Sequence, residues 1–167
     1  MHSRIVLMVA AIVTCAACSD TNSVGPQNIS EGRALSPGET TASDRWMRST
    51  RVIIGRREVG SPVMITRNFA LVAVAEYNAA TAAGNSAALA GKKPSEAGAV
   101  AGASAAVLRA LYPAEDTAIT AQLAADRTYF ARIAPESSFD FAAGEAVGAT
   151  VAAQVLARAA TDGSNAV

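Results

Sequence analysis

Two stretches of this chain carry small residues at an unbroken four-residue spacing: Gly98, Gly102 and Ala106, then Gly144, Gly148 and Ala152. A glycine inside a helix costs ~1 kcal/mol relative to alanine. Four of them at helical spacing therefore need a compensating gain. The gain available is close approach, because a ridge of small residues lets a second backbone come in where side chains would hold it off. The spacing predicts that these two helices face each other through the ridges, or face a common neighbour.

The rest of the chain is punctuated for helices. Asp44 is placed to cap a first helix running to about residue 57. Ser61-Pro62 opens a second, serine serving as N-cap and proline fitting the first helical position. The second dies out at Gly84-Asn85. Ser95, after Pro94, starts a third over about 95–112, and Tyr112-Pro113 stops it, since the residue before proline is pushed out of the helical region. A fourth is expected over about 114–132, with Glu115 and Asp116 set against its N-terminal dipole. Ser137 and Ser138 are candidate caps for the last, about 138–161, ended by Asp162-Gly163. No stretch alternates with period two. The fold class expected is all-α, about five helices packed as a partial bundle over 44–163. The second and fifth are apolar around most of their circumference, which predicts burial on several sides.

The N-terminus reads as an address. Arg4 precedes a largely apolar stretch, Ile5 to Ala17, too short for the ~20 residues of a transmembrane helix. Cys15-Ala16-Ala17-Cys18 resembles a bacterial lipobox, although Cys15 stands where leucine is usual. The resemblance implies cleavage before Cys18 and its acylation, with Ser19 matching the pattern for outer-membrane sorting; a plain signal peptide cut nearby is the alternative. Residues 1–17 are then a leader, and 18–43, rich in Ser, Thr, Gly, Pro and Asn, a flexible tether. The expected location is the cell envelope, anchored by lipid in a membrane, the outer membrane facing the periplasm.

This address bears on chemistry. The single histidine, His2, lies in the leader. Its loss removes Ser-His-Asp, Cys-His and histidine-metal chemistry from the remaining chain. Fourteen basic residues balance fourteen acidic ones, with no basic stripe for nucleic acid. Glu76, inside ALVAVAEYNAA, and Glu145, inside FAAGEAVGA, are candidate buried carboxylates; the expected role is structural, paired with an arginine or at a wet edge. Arg51, Arg56 and Arg57 could recognise phosphate, but beside Glu58 they read as a solvated face. Gly91-Lys92-Lys93-Pro94 lacks the phosphate-loop frame and reads as a surface loop. No residue is assigned as catalytic or as a metal ligand.

Three segments in order, ALVAVAEYNA at 70–79, PSEAGAVAGASAAVLRALYP at 94–113 and GEAVG…VLARAATDG at 144–163, resemble the N-terminal helical part of bacterial proteins in the vanadium-dependent haloperoxidase and type 2 phosphatidic acid phosphatase superfamily. The resemblance covers about 62–163. In such families catalysis needs later motifs, K-x(6)-R-P, P-S-G-H and S-R-x(5)-H-x(3)-D, and none occurs here. Pro94-Ser95 is followed by Glu96, and no Arg-Pro exists. The resemblance implies an N-terminal helical layer cut before the catalytic half, silent by itself, with no cofactor of its own; vanadate would belong to a full-length haloperoxidase. Its expected partners are the membrane, through the lipid, and the missing C-terminal half or another helical unit. A stand-alone envelope lipoprotein acting as a binding or structural module is the alternative.

Overall fold

The computed structural model describes residues 38–58, 61–88, 91–134 and 138–163. These residues form an all-α domain of five helices: α1 Ala42–Arg57, α2 Pro62–Gly84, α3 Glu96–Leu111, α4 Asp116–Ile133 and α5 Phe141–Ala159. A 3-10 turn, Pro113–Glu115, leads into α4, and the two-residue strands β1 Lys93–Pro94 and β2 Phe139–Asp140 precede α3 and α5. The leader, Cys18 and most of the tether lie outside the described residues.

Capping follows local chemistry, with two corrections. Ser61 accepts from Met64 N and Ser95 from Gly98 N, so α2 and α3 begin at the serines that sequence singles out. The cap of α1 is Thr41, whose hydroxyl accepts from Asp44 N, so Asp44 lies in the first turn instead. The helix starts at Ala42, inside the stretch assigned to the tether, and Thr40 N donates to the Tyr129 hydroxyl. For α5 the cap is Asp140, accepting from Ala143 N. Ser138 is taken up otherwise: its carbonyl accepts from Lys93 N in the β1–β2 pairing. Lys93 is thus part of a parallel strand pair and not a free loop.

That pairing sets the architecture. Because β1 and β2 are parallel, α3 and α5 leave the same end of the domain and run side by side in the same direction. The glycines sit along the seam. A Cβ at Gly98 would meet the carbonyl oxygen of Phe141, and one at Gly102 that of Glu145. From the other side, a Cβ at Gly144 would meet Ser95 O, and one at Gly148 would meet Ala99 O. All four would lie inside 3.0 Å of backbone, a distance real Cβ atoms do not reach. The glycine Cα hydrogens occupy that space and face partner carbonyls, a geometry that gives weak Cα–H···O contacts. Ala152 is buried and Ala106 partly so.

Helix α3 is the centre of the domain, packed by α1, α2, α4 and α5. Every residue from Ala97 to Ala105 is buried. The expectation that the second and fifth helices would be enclosed on several sides fails. Their apolar character comes mostly from alanine, and only one face of each packs inward. On α2 that face is Asn68, Val72, Ala75, Glu76, Ala79 and Ala83.

The seam gives a direct stability test. Gly55 in α1 has nothing within 4 Å of a built Cβ, so Gly55→Ala should stabilise the protein by up to about 1 kcal/mol from helix propensity alone. Gly148→Ala gains the same propensity but forces backbones apart, and should destabilise by roughly 1–3 kcal/mol. Chemical denaturation of the two variants measures both; equal effects would show that the seam is not tight.

Candidate functional site

Among the described residues, Glu76 is the one carboxylate that the fold buries without a cation. It lies on the inner face of α2 with 3% of its surface exposed. Ser43 Oγ on α1 donates to Oε2 at 2.5 Å, and Ser104 Oγ on α3 donates to Oε1 at 2.8 Å. One side chain therefore ties three helices together. No arginine among the described residues reaches it: Arg67 turns instead to the end of α5, donating to Ala159 O and Asp162 Oδ2. The arginine pairing expected for Glu76 is replaced by two hydroxyls. Burial pushes its pKa up to about 7; the bonds from Ser43 and Ser104 oppose that rise, and the charge of Asp44 adds to it. Near neutral pH the group can hold or release a proton, but enclosure keeps substrate away.

A second network joins α1 to α4. Arg45 Nε donates to Asp126 Oδ1 at 2.6 Å, Gln122 Nε2 donates to the same oxygen, and Ser49 Oγ donates to Gln122 Oε1. Asp126 is fully buried, and burial raises its pKa against the lowering effect of Arg45, Trp46 and Gln122. The Arg45 guanidinium also lies over the Tyr129 ring, 4.4 Å from its centroid. At the far end of α1, Arg57 Nε donates to Glu115 Oε1 and Arg56 lies 3.6 Å from Oε2. The solvated arginine face expected beside Glu58 is thus partly an ion-pair cluster on a buried glutamate. Glu58 goes elsewhere, accepting from Asn68 Nδ2 and from the Tyr112 hydroxyl. Burial takes Tyr112 up to about 12, helped by Glu58 and opposed by Asn68.

Glu145, the other candidate carboxylate, accepts two bonds from the Arg127 guanidinium in a bidentate pair between α4 and α5. Asp116 is bound by Arg109. Each of these arginines meets a carboxylate. Arg51 stays exposed on α1. Among the described residues no three His, Cys, Asp or Glu side chains come together as a metal site, and no helix is long and apolar enough to cross a membrane.

The structure brings together Gly98, Gly102, Gly144 and Gly148 at one seam, and puts Glu76 and Glu145 in separate environments. The outer side of α2 exposes three large apolar side chains, interspersed with Thr66 and Thr81. Val63 is 76% exposed, Tyr77 73% and Val74 46%. On α5, Ala142, Ala146, Ala149, Ala153 and Ala157 are exposed, with Thr150, Gln154 and Arg158 between them. The all-round apolarity of α2, which predicted burial on several sides, instead leaves these side chains outside the one face that packs inward. Comparison with protein-family models, curated proteins and solved structures finds no match.

The buried carboxyl makes stability depend on pH. The pKa of Glu76 is raised in the folded state, to about 7 from 4.5, so folding takes up a proton between these values. Stability is then greatest below about pH 4.5 from this group, falls as pH rises to about 7, and is level above that. The full change is on the order of 3 kcal/mol. Urea unfolding at pH 5 and pH 8 should show the loss, and Glu76→Gln should remove most of the difference. A variant retaining the wild-type pH dependence would assign it to other groups.

Proposed function

We propose that this domain is a non-catalytic helical packing layer of an exported lipoprotein, the N-terminal layer of a phosphatase-like or haloperoxidase-like assembly. The observation that carries this reading is the outer face of α2, where Val63, Val74 and Tyr77 are open to solvent, together with the exposed alanines of α5. Apolar side chains exposed singly are ordinary, but three large ones on one helix face mark a surface for a partner. The alanine face is flat, which suits another helix more than a small molecule. A stand-alone domain would be expected to hide this surface, so its exposure favours the layer over the independent module.

The absence of chemistry in the buried clusters fits the same reading. Glu76, Asp126 and Glu115 each connect helices through hydrogen bonds or ion pairs to the domain's own side chains. The superfamily resemblance supplies the class of assembly, and Cys18 would supply the attachment to a membrane.

Two experiments test the two halves of the proposal. Intact mass of the native, detergent-extracted protein should exceed that of the lipidated chain, or the protein should come out bound to a helical partner; a lone lipidated chain would favour the independent module. Incorporation of labelled palmitate should be lost in Cys18→Ser; retained labelling would move the anchor elsewhere. The face is tested by Val74→Asp with Tyr77→Asp, two exposed positions where helix content should not change. Binding of a hydrophobic dye to the full chain should fall at least about twofold, whereas unchanged binding would mean the patch is not the exposed apolar surface.

A further inference from the structure

The seam between α1 and α4 differs from the others in the domain. The two helices run antiparallel, as their cross-links show: Arg45 to Asp126, Ser49 to Gln122, Arg57 to Glu115. Their backbones scarcely approach, and long side chains bridge the gap. Between the bridges lies an open groove of about 290 Å³.

The lining of this groove is sorted by polarity. At one end stand Arg48, Ser49 and Gln122; at the other, Val52, Ile53 and Ile119. The sorting follows from helix geometry: positions 48 and 49 are one turn before 52 and 53 on α1, while 119 is one turn before 122 on the antiparallel α4. Trp46 also lines the groove, and Arg56 closes the apolar end, where Glu115 balances its charge. Arg48 is different. It is exposed and meets no carboxylate among the described residues.

The local charge points the same way. Helix α1 carries Arg45, Arg48, Arg51, Arg56 and Arg57 against a single acidic residue, Asp44. The carboxylates nearest the groove, Asp126 and Glu115, are already engaged by Arg45 and by Arg56 with Arg57. What remains is a cation at the polar end and an apolar trough leading away from it.

We propose that this groove binds a small amphipathic monoanion, an alkyl chain ending in a carboxylate. The carboxylate pairs with the Arg48 guanidinium beside Ser49 and Gln122, and the chain lies along Val52, Ile53 and Ile119. Arginine suits this, presenting a planar fork matched to a carboxylate. The volume suits a short or medium chain and is near the lower limit of small-molecule sites. The site is on the opposite partnerships of the fold from the α2–α5 surface and does not depend on what covers that surface.

The chain has one tryptophan, and it lines the groove, so intrinsic fluorescence reports occupancy directly. The experiment titrates the full chain with decanoate below its micelle concentration, alongside decanol and decyltrimethylammonium. Decanoate should shift Trp46 emission saturably, and the cationic analogue should not. Arg48→Gln should weaken decanoate binding roughly two- to fivefold, the effect of one solvent-facing charged contact, and leave decanol unaffected. Ile119→Asp should weaken decanoate and decanol alike, with helix content checked by circular dichroism; if that variant does not fold, Val52→Asp, at an exposed position, takes its place. Equal binding of all three probes would overturn the proposal, as would decanoate binding indifferent to Arg48→Gln. A response to anionic vesicles with none to monomeric decanoate would also overturn it, in favour of a membrane surface.

Discussion

The backbone approach of α3 to α5 governs this fold. At Gly98, Gly102, Gly144 and Gly148 there is no room for a methyl group between one helix and the peptide oxygens of the other. Two consequences follow. The helices must be parallel and in register, which the β1–β2 pairing fixes at their N-terminal ends. And α3, pressed this closely by α5, still has three sides free for α1, α2 and α4. A helix lined with leucine would hold its neighbours at 8–10 Å and fill the centre with side chains. Here the centre is largely backbone and alanine.

A core of that kind gains little from each residue, because alanine removes little apolar area from water. Larger side chains are gathered where helices stand further apart, as with Trp46, Ile53 and Ile54 on α1, Leu108 on α3 and Ile119 on α4. The polar links have a matching distribution. Glu76 with Ser43 and Ser104 joins α2 to α1 and α3; Arg45 with Asp126 joins α1 to α4; Arg127 with Glu145 joins α4 to α5. Each spans a pair of helices with no glycine ridge between them. Ion pairs exposed at one partner, such as that of Arg127, add only modest stability. Their directionality nonetheless selects one arrangement of smooth, alanine-rich helices over sliding alternatives.

What could be read from sequence was what depends on neighbours along the chain. Ser61 before Pro62 and Ser95 after Pro94 are caps because cap chemistry is settled within three residues, and the all-α class follows from helical punctuation throughout. Asp44 and Ser138 misled for the same local reason: each has an equally good competitor nearby, Thr41 and Asp140, and the choice depends on where the helix axis must start to pack. The partners of Glu76 were out of reach. Ser43 lies 33 positions before it and Ser104 lies 28 after it. Serine, being common and able to serve many roles, announces no such pairing. The switch of Arg56 and Arg57 from Glu58 to Glu115 has the same origin, since Glu58 stands at the end of α1 and is drawn to Asn68 and Tyr112.

The two ways of joining helices also explain why the surface is divided as it is. Where glycine meets backbone between α3 and α5, no groove can form, and the outward side of α5 presents mostly alanine, while α2 exposes Val63, Val74 and Tyr77. Where Trp46, Arg45 and Gln122 hold α1 away from α4, the same spacing that prevents close packing leaves an open trough. A flat face can satisfy another helix; a trough with a polar end and an apolar end can satisfy a small amphiphile. Both surfaces are set by side-chain size at the seams, so a change that widened the α3–α5 contact would be felt at the face of α2 and α5 before it reached the α1–α4 groove.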